Sequence, residues 1–394
     1  MAKISILLLP VFVKVALAIP AYGSLAGLTQ RQVDDFIANN TLAPIPPPPG
    51  PLVNDGLLLV NDPSHPFIQP GPDDLRGPCP GLNTLANHGV RKTLRPTVSE
   101  FHFAEFNQYL PRSGVARPDQ LVTAVMEGFN LGNDFARFLV YQAHLIDGNP
   151  ITNLISIGMK TPQTGPDPPA PAIVGGLSQH GTFEGDTSMT RVDAFFGNPA
   201  IFNETRFDEF SAFSMQFGVN GTYDINAAAE LRHQRLEDSI QTNPELSFQS
   251  PRILSAFSEA VFPTIFFVDG RLDNGQLNLQ AARSFFQPNK FPDNFFRQPA
   301  PVSFPTIQPL TQQLFDKHPF VPGMNNGTNN FIELPDTPAL SDFCGIYDDI
   351  VNRVLKTQYP NPSGPLLEAL QTNLNFLFSA VEGHNCTQAF PFGQ

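Results

Sequence analysis

Apolar residues recur at helical spacing through most of this chain, and that pattern constrains the fold more than any other feature. Beginning at Pro118, apolar residues follow one another at intervals of three and four: Leu121, Val122, Val125, Met126 and Phe129. This spacing places them on one face of an amphipathic helix. Asn133 and Asp134 can cap a second helix, which should end near Ile146 because Gly148 and Pro150 follow.

Further helical patterns cover approximately residues 204–218, 226–241, 250–262, 278–287, 338–358 and 364–382. Residues 161–176 are rich in proline and glycine and indicate a long loop. The clearest strand signal is short and runs from Thr264 to Val268. We therefore predict a mainly α fold with long loops and minimal β structure. No linker divides residues 43–394, so we expect one domain.

The N-terminal residues have the pattern of a secretory signal. Lys3 precedes the apolar run from Ile4 to Val13, and Ala16-Leu17-Ala18 provides a small-residue cleavage site. The run is too short to span a bilayer. We expect a signal peptide at 1–18, a propeptide at 19–42, and a secreted, extracellular protein without a membrane anchor.

The charge and the sequons agree with export. The net charge of −13 argues against nucleic acid and anionic membranes as partners. Asn-x-Ser/Thr sites occur at Asn39, Asn203, Asn220, Asn326 and Asn385. We predict glycosylation at Asn203, Asn220 and Asn326.

One of the three cysteines stands in the turn Pro78-Cys79-Pro80. The prolines stiffen the turn, and a helix N-terminus just after the sulfur favours its thiolate form. A thiolate in such a turn suits metal ligation, although half of a disulfide is the alternative. Pairing Cys344 with Cys386 would leave Cys79 free.

A second motif offers oxygen ligands. Glu184, Gly185 and Ser188 supply a carboxylate, a backbone carbonyl and a hydroxyl within five residues. Hard oxygen donors of this kind suit Mg²⁺. The alternative interpretation is an ordinary acidic turn.

A third motif places Arg252 and Glu259 about two turns apart on one helix face, with the small residues Ser255 and Ala256 between them. Because helical side chains lean toward the N-terminus, we expect Glu259 to point toward Arg252, and both to enter one cavity. The alternative is a surface ion pair of little energetic value.

In this order, the three motifs resemble those of the haem-thiolate peroxidase family, and specifically its longer fungal members, the unspecific peroxygenases. The resemblance extends from about residue 20 to the C-terminus. It implies a mainly α peroxidase fold holding haem b and Mg²⁺. Cys79 would be the axial ligand of the haem iron, and Glu184, Gly185 and Ser188 would hold Mg²⁺ against a haem propionate.

The same resemblance assigns the remaining site residues. Glu259 would be the distal acid–base group, with Arg252 orienting it and lowering its pKa. Cys344 and Cys386 would form a C-terminal disulfide. The substrate pocket would be formed by Phe183 and Phe262 above the iron, Leu131 where a third Phe is common, and Phe138 near the channel mouth.

The resemblance also implies the reaction. The protein would use hydrogen peroxide to insert oxygen into small apolar aromatic and aliphatic molecules, with peroxidase side activity and no reductase. A haloperoxidase of the same family is the nearest alternative. Chloroperoxidase-type members differ in two ways. They have Glu-His-Asp where this chain has Glu-Gly-Asp, with Gly185 in place of the histidine. They also have a histidine as the partner of the distal glutamate.

An alternative of another class is a secreted haem-binding protein without turnover. Its motivation is an atypical insert at residues 90–108, since in the family the segment ending at Gly89 continues almost directly into the equivalent of Tyr109 to Arg112. We hypothesise that this insert is a retained intron translated in frame. The other reading is a genuine surface loop.

Overall fold

The structure is a computed structural model and describes residues 42–89 and 109–393, except 166, 173, 182, 335–337, 339 and 341. The predicted signal peptide, the predicted propeptide up to residue 41, Asn39 and the 90–108 insert lie outside the described residues.

Helices joined by long loops make up most of the described chain. In chain order they are α1 Pro80–Asn87, α2 Pro118–Phe129, α3 Asn133–Asp147, α4 Glu204–Phe217, α5 Ile225–Thr242, α6 Arg252–Phe266, α7 Leu279–Phe286, α8 Phe304–Lys317, α9 Phe343–Asp349, α10 Lys356–Gln358 and α11 Gly364–Val381. A π-helical stretch, Ile350–Leu355, joins α9 to α10. Short 3-10 turns occupy Pro162–Thr164, Ala194–Phe196, Val219–Gly221 and Glu382–His384.

Strands are few and very short. A two-stranded antiparallel ladder pairs β1, Val115–Ala116, with β2, Ile155–Ser156. An antiparallel sheet has the order β3–β4–β5, and these strands are Ser247–Phe248, Gly323–Asn325 and Phe331–Glu333. The prediction of a mainly α fold with minimal β structure is confirmed.

One helix was not predicted, and one strand prediction beside a proline was wrong. No pattern predicted helix α8, whose sequence contains Pro305 and Pro309. Pro305 occupies the first helical turn, where no N–H is needed, and Pro309 lies inside the helix. The strand signal after Pro263 also failed, since α6 continues through this residue and the Thr264 hydroxyl donates to the carbonyl of Val261 at 2.8 Å.

The core is rich in phenylalanine, and packing against neighbouring helices fixes the position of helix α1. Helix α3 packs along α11, and α1 packs against α2 and α7. A Cβ on Gly128 of α2 would collide with Leu85 of α1, so glycine there permits the close approach of these helices. No helix in the described part of the chain is long and apolar enough to cross a membrane.

The predicted disulfide is present. Cys344 near the start of α9 is bonded to Cys386 beyond the Glu382–His384 turn, and their Cα atoms are 5.2 Å apart. Cys79 is a free cysteine. The bond therefore fastens the C-terminal segment and leaves the Pro-Cys-Pro sulfur available.

The disulfide should matter for stability rather than for chemistry. We expect Cys344→Ser to lower the free energy of unfolding by roughly 2–4 kcal/mol, because the unfolded chain gains freedom when the cross-link is lost. Urea unfolding of the purified variant measures this. An unchanged unfolding midpoint would contradict the expectation.

The chain ends that flank the insert lie close together. A Cβ on Gly89 would collide with the carbonyl of Leu110. A variant that joins Gly89 directly to Tyr109 should therefore fold with a melting temperature within a few degrees of the full chain. Calorimetric melting of both proteins checks this, and a deletion variant that fails to fold would mean that residues 90–108 are an integral part of the protein.

Candidate active site

One cavity brings the three sequence motifs together. Its wall includes Cys79, the loop that carries Glu184 and Ser188, and α6 with Arg252 and Glu259. Much of the remaining lining is apolar: Leu121, Val125, Phe129, Leu131, Leu139, Val140, Ile155, Leu177, Phe262, Phe266, Phe267 and Phe286. Residues far apart in sequence thus surround a single apolar space with a few polar groups, which is the usual form of a cofactor or substrate site.

The sulfur of Cys79 is fixed at the N-terminus of α1. Cys79 is the N-cap residue, and Pro80 occupies the first helical turn. Asn83 holds the turn from behind, because its Oδ1 accepts the amide of Gly77 at 2.9 Å and its Nδ2 donates to the carbonyl of Gly77 at 2.9 Å. The sulfur therefore faces the cavity from a rigid support, as the sequence predicts.

Burial dominates the acidity of this thiol. The pKa of Cys79 is raised to about 12, mainly by desolvation; the charges of Glu184 and Glu259 contribute to the rise, and the backbone amides of Leu82 and Gly81 oppose it. The helix terminus alone thus does not make a thiolate here. A metal ion bound to the sulfur would do so, because a coordinating thiol loses its proton.

The loop after Glu184 is held by a buried carboxylate network. Asp186 accepts the amide of Ala194 at 2.9 Å and Nδ2 of Asn243 at 2.9 Å, and it pairs with Nε2 of His180 at 2.8 Å. Both carboxylate oxygens of Asp186, a residue of the cavity wall, are therefore engaged in holding the loop.

A second carboxylate completes this network. Asp193 accepts the amide of Thr187 at 2.9 Å, the hydroxyl of Ser239 at 2.6 Å and Nδ2 of Asn243 at 3.0 Å. Thr187 has a φ of 71°, a strained conformation for a β-branched residue. These hydrogen bonds hold the loop in its conformation. No sequence motif marks Asn243 or Ser239.

The oxygen donors predicted for Mg²⁺ all line the cavity. Glu184, Gly185 and Ser188 lie together on its wall. Burial raises the pKa of Glu184 well above its usual value, the charges of Glu259 and Asp147 add to the shift, and Arg191 opposes it. Within the described residues no cluster of three or more His, Cys, Asp or Glu side chains could hold a metal ion. A cation here would need backbone, hydroxyl and cofactor oxygens besides Glu184.

Arg252 has different partners from those expected. Its Nε donates to the carbonyl of Ser247 at 2.9 Å, and its Nη1 donates to the carbonyl of Gly181. A Cβ on Gly185 would lie 2.8 Å from its Cδ, so glycine allows the arginine stem to pack on the loop. The guanidinium therefore holds the 181–185 loop, whereas we expected it to pair with Glu259.

Glu259 is exposed to the interior of the cavity. Its side chain lines the cavity deep in the protein, and burial raises its pKa to about 7. The charges that oppose this shift are those of Arg232 and then Arg191, both 4% exposed. Glu259 thus lines the cavity, and of the two arginines that lower its pKa the larger effect comes from Arg232 of α5, which no motif marks.

The predicted pocket residues divide into three groups. Leu131 and Phe262 line the cavity. Phe138 lines an adjoining cavity between α3, α6 and α8. Phe183 is buried in the core and is not among the residues that line either space. Of the predicted pocket residues, Leu131 and Phe262 therefore line the cavity that contains Cys79, and Phe183 does not.

The loop network gives a stability prediction. Asn243→Leu removes the amide that donates to both carboxylates, so we expect a loss of roughly 2–4 kcal/mol, the scale of buried hydrogen bonds to charged groups. Asn352→Leu is the matched control, because Asn352 donates to Asp348 at an exposed site. Urea unfolding compares the two, and equal small losses of under about 0.5 kcal/mol would contradict the assigned role.

Comparison with known proteins agrees with the site. Residues 65–90 and 104–300 match the family described as "Peroxidase, family 2". The chain is 49% identical over 385 residues to an aromatic peroxygenase of Cyclocybe aegerita, which covers 98% of this chain and 97% of that protein. It is 49% identical over 244 residues to an aromatic peroxygenase of Coprinellus radians, which covers 61% of this chain and 86% of that protein. The chain therefore belongs to family 2 of the peroxidases.

Proposed function

We propose that this protein is a secreted haem-thiolate peroxygenase that transfers oxygen from hydrogen peroxide to aromatic and aliphatic substrates, with peroxidase side activity. The observation that supports it best is the convergence of a free cysteine, an oxygen cluster and an interior glutamate on one apolar cavity. The two relatives named above are aromatic peroxygenases.

The cavity residues suit a haem. Cys79 would hold its iron, and Glu184, Gly185 and Ser188 would hold Mg²⁺ beside a propionate. The buried Nε atoms of Arg191 and Arg232 have no hydrogen-bond partner among the described residues, which suits an anionic group in this space. When bound, a thiolate-ligated haem supplies the oxidising chemistry, because the thiolate favours cleavage of the O–O bond.

Glu259 would accept and then donate the proton that is transferred in this reaction. Its carboxylate takes a proton from hydrogen peroxide, and its carboxylic acid returns that proton to the departing oxygen, which leaves as water. The substrate C–H becomes C–OH, so one peroxide gives one oxygenated product and one water. A pKa of about 7 suits both halves of this exchange. The apolar walls limit competing water.

Arg252 would be a positioning residue. It fixes Gly181 and packs against Gly185, so it holds the loop that presents Glu184. Arg232 and Arg191 would balance the charge of Glu259. This assignment keeps Arg252 in the site but separates it from proton transfer.

Secretion and glycosylation belong to the same proposal. Asn220 and Asn326 are exposed, and their side chains are open to modification. Asn203 is half-buried, and its Oδ1 caps α4 by accepting the amide of Arg206 at 3.0 Å. We therefore favour Asn220 and Asn326 as glycan sites over Asn203.

Labelled peroxide tests the proposed reaction. Secreted holoenzyme would be incubated with isotopically labelled hydrogen peroxide and ethylbenzene, which offers an aromatic ring and an aliphatic chain. We expect the label in the alcohol or phenol product. Product oxygen that comes from water or dioxygen would contradict the proposal, and absence of product would indicate a haem-binding protein without turnover.

A further inference from the structure

A second cavity lies between α3, α6 and α8 and adjoins the first. The two share Leu139, Ser255, Glu259 and Phe262 on their walls. Five phenylalanines contribute to the lining of the second cavity: Phe135, Phe138, Phe262, Phe304 and Phe343. The second cavity thus adjoins the first along the wall formed by Phe262 and Glu259.

Two buried polar side chains interrupt this aromatic wall. Gln142 of α3 is 1% exposed and Thr311 of α8 is 5% exposed, and both line the second cavity. Neither Oε1 of Gln142 nor Oγ1 of Thr311 has a hydrogen-bond partner among the described residues. Buried polar atoms normally have partners, because leaving them unpaired destabilises the fold. Each of these two atoms is therefore free to form a hydrogen bond with a group that enters the cavity.

Another glutamine on the same wall provides a contrast. Gln312 of α8 also lines the cavity, but its Nε2 donates to Asp316 at 2.7 Å near the surface. Gln142 and Thr311 thus each have an atom without a hydrogen-bond partner among the described residues, whereas the Nε2 of Gln312 on the same wall has one.

We propose that Gln142 and Thr311 form a subsite for the hydroxyl group of an otherwise apolar substrate. This inference rests on the proposed peroxygenase function. A hydroxyl can donate to the amide oxygen of Gln142 and accept from the hydroxyl of Thr311, so it matches both groups. The hydrocarbon body would lie against the phenylalanines.

The charge of the cavity selects against anionic groups. Glu259 is the one ionisable residue among its described lining, and Lys, Arg and His are missing from that lining. A carboxylate would find no countercharge there and would bear the cost of desolvation. Neutral alcohols are therefore favoured over carboxylic acids in their ionised form.

Anchoring the hydroxyl orients the rest of the substrate. The shared wall at Glu259 and Phe262 leads the opposite end of the molecule into the cavity that contains Cys79. Oxygenation should therefore favour carbons remote from the hydroxyl. An alkane, which has no anchor, should react at a broader set of positions.

Calorimetry on the holoenzyme tests this subsite with n-hexanol and n-heptane, which have equal numbers of non-hydrogen atoms. We expect Thr311→Val and Gln142→Met each to weaken n-hexanol binding roughly five- to tenfold and to leave n-heptane within about twofold. Thr311→Ser should retain n-hexanol binding. Gln312→Met, the matched control, should leave the ratio of the two affinities unchanged.

An ordered water could satisfy the same two atoms. In that case both variants would keep the wild-type ratio of n-hexanol to n-heptane affinity, and this result would overturn the subsite. Melting temperatures confirm that each variant is folded. The heat of binding can be measured without turnover. A negative labelled-peroxide experiment would therefore contradict the proposed function, and the binding measurement would still test the subsite.

Discussion

Replacing Glu259 by glutamine should slow the reaction with hydrogen peroxide by roughly 10²–10⁴-fold, the usual contribution of a positioned acid–base group. Glutamine retains the size of the side chain and cannot accept the proton. The rate of the first haem spectral change after stopped-flow mixing with peroxide measures this step. Glu245→Gln is the matched control, because Glu245 is exposed and lies outside both cavities.

The pH dependence of this step should follow Glu259. Because burial raises its pKa to about 7, the carboxylate that accepts the proton accumulates as pH rises through about 7 and is lost below it. The wild-type rate should fall accordingly on acidification, and Glu259→Gln should lose this dependence. A Glu259→Gln rate equal to wild type would rule out the assigned role.

The pH profile of the reaction with peroxide also distinguishes two roles of Arg252, that of a positioning residue and that of the countercharge of Glu259. As a positioning residue, Arg252→Ala should lower bound magnesium, because Arg252 holds the loop of Glu184, and should leave the midpoint of the pH profile in place. A midpoint shifted upward in Arg252→Ala would show that Arg252, rather than Arg232, is the countercharge of Glu259.

Replacing Cys79 by serine should abolish thiolate ligation. A hydroxyl is a harder and poorer ligand for iron at neutral pH. We expect peroxygenase turnover to fall by at least about 100-fold, since loss of even an outer-shell partner of a metal ligand typically costs 10–100-fold. Haem content and product formation of the purified variant measure the effect.

Cys344→Ser is the matched control for Cys79→Ser, because it makes the same chemical change in the disulfide. Folded Cys344→Ser should keep its haem and its turnover. Equal loss of haem in the two variants, at temperatures where both are folded, would contradict the separation of ligand from disulfide.

Periodicity predicted the helices that carry ordinary amphipathic patterns. Helices α2 and α3 begin and end within about a residue of expectation, because Pro118 in the first helical turn and Gly148 at the C-cap are local signals. Helix α8 was not among the predicted helices; it contains Pro309, a residue of low helix propensity, in its interior.

Some features of the candidate site could likewise be predicted from the sequence, and others could not. That Cys79 and Glu259 share one cavity followed from the family resemblance that the three motifs carry, whereas spacing alone placed Glu259 on a helix face. The partner of Glu259 did not follow from either, because Arg232 comes from another helix and is brought there by packing. Spacing places Arg252 and Glu259 on one face, but the carbonyls of Ser247 and Gly181 compete successfully for the guanidinium.

The spectrum of the reduced, carbon monoxide-bound haem in the secreted holoenzyme tests the central claim most directly. Ligation by Cys79 predicts the long-wavelength Soret band that distinguishes thiolate from histidine ligation, because the thiolate donates electron density to the iron. That band should disappear in Cys79→Ser and persist in Cys344→Ser. A histidine-type band in the intact wild-type protein would contradict the account.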